Sequence, residues 1–211
     1  VSDYSTIDPT NPPVGIICGD LYGAPRMVAL HRSGKGLPWA KSRSTGCNTK
    51  FEGIICQPSE TGHNAYFRAT FDGDTDGSDN WEYICSIDLE GTKDDDAVKE
   101  NYPAFHWVNQ YNTQYAAQLG GTNFAWYMPS LAELCEVYKN KDRINASLKA
   151  IHDILPDGST YANESLETSS YWSSSQDSYN YSDAWHAHFG LGDLFAYDKY
   201  YYYIVCCIAG F

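Results

Sequence analysis

Hydrophobic and polar positions divide the chain into regions of different period. From Ser130 to Leu155 the period is helical. Ser130 and Glu133 have the spacing of a capping box, in which the serine side chain accepts from the third helical N–H and the glutamate reaches back to the cap. Apolar Leu134, Val137 and Tyr138 follow, so a helix is predicted to begin at Leu131. Ile144, Leu148, Ile151 and Leu155 recur at i, i+4, i+7 and i+11, predicting a second amphipathic helix that Pro156-Asp157-Gly158 stops. The acidic stretch Asp72 to Asp79 precedes a helix at Asn80 to Cys85, and Asp94-Asp95-Asp96 precedes one over Ala97 to Val108. Carboxylates suit the positive end of each helix. Pro103 inside the latter predicts a kink or a late start.

Elsewhere the period is two, or is lost. Val14 to Cys18 and Arg26 to His31 are short apolar runs joined by a Gly- and Pro-containing connection, and read as two strands. Ser33 to Thr61 is mainly loop. After Ser169 the alternation predicts strands at Tyr171 to Ser175, Ala184 to Phe189, Leu194 to Tyr197 and Tyr201 to Ile208, with Gly190-Leu191-Gly192 as a hairpin turn. In the second of these, Trp185, Ala187 and Phe189 face the core, and His186 and His188 face solvent. Helices and strands segregated in this way make an α+β protein.

The chain has 211 residues, enough for one sizeable core and short for two, so residues 1–211 are read as a single domain. A net charge of −13, with Lys and Arg nowhere clustered, argues against nucleic acid as a partner. No stretch approaches the ~18 apolar residues of a membrane helix, and contact with a membrane is expected only through a lipid anchor upstream of Val1. The seven cysteines are an odd number without metal-ligand spacing.

Four motifs carry possible chemistry. His186-Ala187-His188 puts two imidazoles on one strand face, but no third metal ligand is fixed by spacing, and exposed non-coordinating histidines are expected. Asp72, Asp74, Asp76 and Gly77 copy the first half of a calcium loop, yet position twelve is Tyr83 where a bidentate Glu belongs. It is read first as a solvated loop and second as a calcium site with those three aspartates as ligands. Cys206 and Cys207 point to opposite faces of a strand, predicting one buried and one surface thiol. No nucleophile–base constellation or phosphate loop stands out, so catalysis is not expected. The fourth motif is compositional. Of 18 tyrosines, Tyr179 and Tyr181 sit among Ser, Asn and Asp, and Tyr197 and the run Tyr200 to Tyr203 follow. Rigid amphipathic rings set among small polar residues make up an antibody-like binding surface. A run of four tyrosines cannot all face one core.

Trp126-Tyr127-Met128-Pro129-Ser130-Leu131-Ala132-Glu133-Leu134, Tyr171-Trp172-Ser173-Ser174-Ser175, Ala184-Trp185 and Val205 to Phe211 resemble a bacterial domain related to formylglycine-generating enzymes. More narrowly, they resemble the variable proteins of diversity-generating retroelements. Met27 to Leu30 and Leu37 to Ala40 extend the likeness over most of the chain. The resemblance implies a C-type lectin fold, with a twisted antiparallel sheet and two or more flanking helices, displayed on the cell surface. It also implies a diversified ligand-binding region at residues 177–211 and a protein or other macromolecule as ligand. Carried over by position, the variable residues are Tyr179, Tyr181, His186, His188, Leu191, Asp193, Phe195, Tyr197, Tyr200, Tyr201 and Tyr202; Trp185, Phe189 and Phe211 are scaffold.

Diversification at template adenines cannot convert an AAC-type codon to Met, Trp, Lys, Gln or Glu. Only Trp185 and Lys199 in residues 177–211 belong to that set. The resemblance leaves two other functions open: a calcium-assisted carbohydrate-binding lectin using Asp72, Asp74 and Asp76, and a formylglycine-generating-type oxidoreductase using Cys206 or Cys207.

Overall fold

The computed structural model describes residues 7–8, 10–21, 24–155, 162, 165–166 and 168–211. In chain order, β1 (Gly15–Leu21) and β2 (Ala24–Ala29) form an antiparallel pair, and a short helix α1 (Thr45–Asn48) lies in the loop region. β3 (Cys56–Pro58) and β4 (Phe71–Gly73) then pair as a two-stranded ribbon. Four helices follow: α2 (Asn80–Ile87), α3 (Asp95–Asn101), α4 (Pro103–Asn109) and α5 (Tyr111–Gln114). The single helix expected over Ala97 to Val108 is thus two. Asp94 caps the first, and Pro103 occupies the first turn of the second, where its missing N–H is harmless.

α6 (Leu131–Lys139) starts where its capping box places it, and α7 (Lys141–Ile154) buries Ile144, Leu148 and Ile151. The predicted stop at Pro156-Asp157-Gly158 lies outside the described residues. β5 (Ser170–Gln176), β6 (Asp183–His188) and β7 (Asp193–Asp198) form an antiparallel sheet in that order. β8 (Ile208–Gly210) returns to β2, pairing Met27 with Ala209, so the first two strands and the last share a sheet. The protein is α+β.

The expected strand from Tyr201 to Ile208 is mostly not one. Between β7 and β8 the chain passes from one sheet to the other, and its backbone bonds to scattered neighbours. Leu37 N–H donates to Tyr203, Ile204 N–H to Ser170, and Ser33 N–H to Val205. Strand-forming residues without a continuous ladder partner give bridges, not a strand.

Two apolar clusters hold the fold. One gathers α6, α7, β1 and the inner side of β6, including Trp185, Ala187 and Phe189. The other is aromatic, built from Trp39, Phe51, Tyr102, Phe105, Tyr111, Trp126 and Trp172. Cys206 belongs to the first cluster and Cys207 to the second. The two thiols do face opposite ways, as neighbours on extended chain must. Both faces are covered, so the expected surface thiol is absent.

Candidate ligand-binding surface

The β6–β7 hairpin and the chain on either side of it carry the exposed aromatic residues. The register pairs Ala184 with Tyr197, His186 with Phe195 and His188 with Asp193, which places these six on one face. Tyr179 and Tyr181 lie on the turn before β6, where Asp177 accepts from Asn180 N–H and Asn180 accepts from Ser182. Exposure runs from 40% at Tyr200 to 83% at Tyr179, with Tyr181, Leu191, Phe195, Tyr197, Tyr201 and Tyr202 in between. The ring of Tyr201 meets Tyr197 edge-on at 4.4 Å and Tyr200 at 5.5 Å, and the Tyr200 hydroxyl donates to Asp198 (3.1 Å). Of the tyrosine run, Tyr200, Tyr201 and Tyr202 are exposed and Tyr203 is half-buried. Gly36 lets the backbone of Tyr202 pass close by: a side chain there would meet its carbonyl at 2.8 Å.

Three of the expected ligand-facing residues are built into the scaffold. His186 is only 4% exposed, because the rings of Tyr203 (4.2 Å), Trp172 (5.9 Å) and Phe195 (6.2 Å) cover its face of the sheet. Burial pushes its pKa down to about 4, and its Nδ1 has no partner among the described residues. His188 is half-buried, and its Nδ1 accepts from Gly190 and Leu191 N–H (both 3.2 Å), shaping the hairpin turn. Asp193 is buried and accepts from Asn64 N–H (3.2 Å) and His63 Nδ1 (2.9 Å), tying another loop to β7. Among the expected scaffold residues, Trp185 and Phe189 are buried, and Phe211 is exposed.

His186 also sets a pH dependence. Its folded pKa lies below the unfolded value of about 6.5, so as pH falls the unfolded chain takes up the proton first. Stability is therefore expected to fall between about pH 6.5 and about 4, by up to ~1.4 kcal/mol per pH unit. Urea titrations of wild type and His186→Phe check this: the wild-type curve should be the steeper over that window, and parallel curves would remove the assignment.

Sequence reasoning placed Lys199 in the segment but not in the core. It is fully buried, donates to the carbonyls of Gly46 (3.0 Å) and Thr49 (3.2 Å), and lies over the rings of Trp39 (4.7 Å) and Phe51 (5.0 Å). It anchors the chain immediately before Tyr200. Burial lowers its pKa to about 7.

The three aspartates of the alternative calcium reading do not converge. Asp72 lies in β4 opposite Gln57, Asp74 accepts from Asp76 N–H, and Asp76 accepts from Ser78 N–H and lies 3.7 Å from Arg26. These carboxylates serve their own loop and a neighbouring arginine. Among the described residues no three His, Cys, Asp or Glu side chains converge as a metal site. Burial pushes the Cys206 thiol up to about 12 and that of Cys207 well above its usual range, which opposes the thiolate that redox chemistry needs.

A groove of about 670 Å³ borders the aromatic face, lined by the 57–61 loop on one side and by Asp177, Tyr179, Phe195 and Ala196 on the other, with Trp185 between. The 57–61 wall carries no motif, and the sequence offered no signal for it.

No protein-family profile matches the chain, and no curated protein matches it. Among solved structures, a fimbrial protein from Bacteroides ovatus is similar at 16% identity and a TM-score of 0.48 over 89% of this chain. The match covers 36% of that protein's own length. Among the described residues no helix is long and apolar enough to cross a membrane.

Proposed function

We propose that this chain is a surface-displayed recognition protein, not an enzyme, and that it binds a protein ligand through the aromatic face built from residues 177–203. On this reading the scaffold is a C-type lectin fold and the face is diversified by a retroelement. The observation that carries it is the division of labour within one segment. Tyr179, Tyr181, Leu191, Phe195, Tyr197, Tyr200, Tyr201 and Tyr202 are exposed, whereas Trp185 and Lys199, the two residues that adenine-directed variation cannot produce, are buried. Large exposed aromatic side chains on a monomer mark interaction surfaces, and tyrosines at such surfaces contribute on the order of 2 kcal/mol or more each when buried by a partner.

The buried positions sharpen the expectation. Comparing gene copies from different isolates should show substitutions concentrated at the eight exposed positions, and Trp185 and Lys199 unchanged. Substitutions spread evenly over residues 1–211 would falsify the reading.

A further inference from the structure

Gly62 and Leu194 exchange two backbone hydrogen bonds (2.9 and 3.3 Å), so the outer edge of β7 is paired at Leu194. Were that ladder to continue, residue 60 would lie opposite Ala196. It does not, because Gln57 and Pro58 pair with Asp72 and Phe71, and Ser59 N–H donates to Thr70, which draws the 57–61 segment away from β7. Backbone groups alternate in direction along a strand, so the N–H and C=O of Ala196 point outward as those of Leu194 do. Neither has a partner outside the sheet among the described residues. Beyond it, Asp198 C=O already accepts from Tyr201 N–H. The result is an interrupted sheet edge opening onto the 670 Å³ groove.

The groove's lining fits an occupant of definite chemistry. Trp185, 3% exposed, lines it, and its indole N–H has no acceptor among the described residues. Tyr179 and Phe195 supply exposed rings. Its charged lining residues are both acidic, Asp177 and Glu60; Arg68 reaches Glu60 at 2.8 Å, and Asp177 accepts from Asn180 N–H at 2.9 Å.

We infer that the groove takes an extended, basic peptide segment of the protein ligand, which adds a short strand to β7 at Ala196. Its backbone pairs with the Ala196 N–H and C=O, it passes over the edge of the Trp185 ring, and its Lys or Arg side chains meet Glu60, Asp177 and the Tyr179 ring. This rests on the reading that the adjoining face binds protein, and it specifies how part of that protein is held.

The test is a nuclear magnetic resonance titration of the whole chain with three probes. These are a capped peptide of alternating lysine and valine, its glutamate-for-lysine counterpart, and cellotetraose as a neutral oligosaccharide. The lysine peptide should shift the Trp185 indole resonance and slow hydrogen exchange of the Ala196 amide, and the glutamate peptide should do neither. Ala196→Pro removes the N–H at an outward-facing edge position, where a ladder bond is not lost, and should weaken the lysine peptide at least tenfold. Should that variant fold poorly, Glu60→Lys on the exposed wall should weaken it in the same way.

Equal response to both peptides, an unprotected Ala196 amide, or a response to cellotetraose alone would overturn the inference, the last in favour of a saccharide. The variation pattern among gene copies stands or falls separately, so failure of the groove and failure of the aromatic face are distinguishable.

Discussion

Replacing Glu133 with alanine is expected to destabilise the protein by about 3–5 kcal/mol, the range for removing one member of a buried, hydrogen-bonded charge network. The carboxylate is 1% exposed and accepts from three donors: Ser130 N–H (3.0 Å), Gly77 N–H (3.0 Å) and the Tyr127 hydroxyl (2.7 Å), with Arg26 at 3.7 Å. Truncation leaves all three without an acceptor, and each buried donor so stranded costs about 1–3 kcal/mol. α6 is in turn tied to the β5–β6–β7 sheet, its first N–H donating to Ser175 of β5 (2.9 Å). Gly77 packs closely against this site: a Cβ there would meet the backbone N of Ser130 at 2.6 Å. Thermal melting should show a fall of roughly 10 °C for a chain of this size. Ser130→Ala, which removes the cap acceptor and the hydroxyl's bond to the Thr75 carbonyl (2.8 Å) but leaves the Glu133 carboxylate with its three donors, should cost about 1–2 kcal/mol. Equal effects of the two substitutions would show that the network beyond the cap contributes nothing.

Glu133 was legible as a capping residue because a capping box is local: four consecutive residues state it. The same holds for the helix over Ile144 to Leu155, for the break at Pro103 and for the hairpin at Gly190 to Gly192. What the sequence left open is contact between distant segments. A period of two correctly put His186 opposite Trp185 and Ala187, but it says nothing of what covers the other face, and the covering rings come from Trp172, Phe195 and Tyr203. The residues from Tyr201 to Val205 have strand-like composition, yet their partners at Leu37, Ser170 and Ser33 lie in other parts of the chain. Of the candidate surface, the exposed tyrosines followed from composition and the family resemblance. The roles of His188 and Asp193 in fixing loops did not, since exposed and loop-fixing polar residues share one alphabet. The 57–61 wall was invisible for the same reason.

Lys199 is the residue that sequence rules place most wrongly, and its substitution carries the second large expected effect. Lysine is almost never fully buried, yet this one is, held by the carbonyls of Gly46 and Thr49 between two aromatic rings. Lys199→Ala removes the donor from both carbonyls and opens a cavity beside Trp39 and Phe51, for an expected loss of about 3 kcal/mol at alkaline pH, where the amine is neutral in both states; towards pH 7 the cost of burying the lysine offsets that loss. Lys199→Met fills the cavity and abolishes the titration, which separates packing from charge. In the wild type the folded pKa of about 7 lies below the unfolded value of about 10.4, so the unfolded chain holds more protons in between. Stability attributable to this group therefore rises as pH increases from about 7, by up to ~1.4 kcal/mol per pH unit. Urea unfolding at pH 7 and pH 9 should show that rise in the wild type and not in Lys199→Met. A wild-type curve no steeper than the methionine variant's would mean that the ammonium is as well satisfied inside as in water. Because Lys199 immediately precedes Tyr200, Tyr201 and Tyr202, Lys199→Ala should also speed hydrogen exchange of those three amides at pH values where the protein remains folded. On that expectation the one lysine of the segment, which on the proposed reading variation cannot create, holds the start of the aromatic run in place while its burial costs stability near neutral pH.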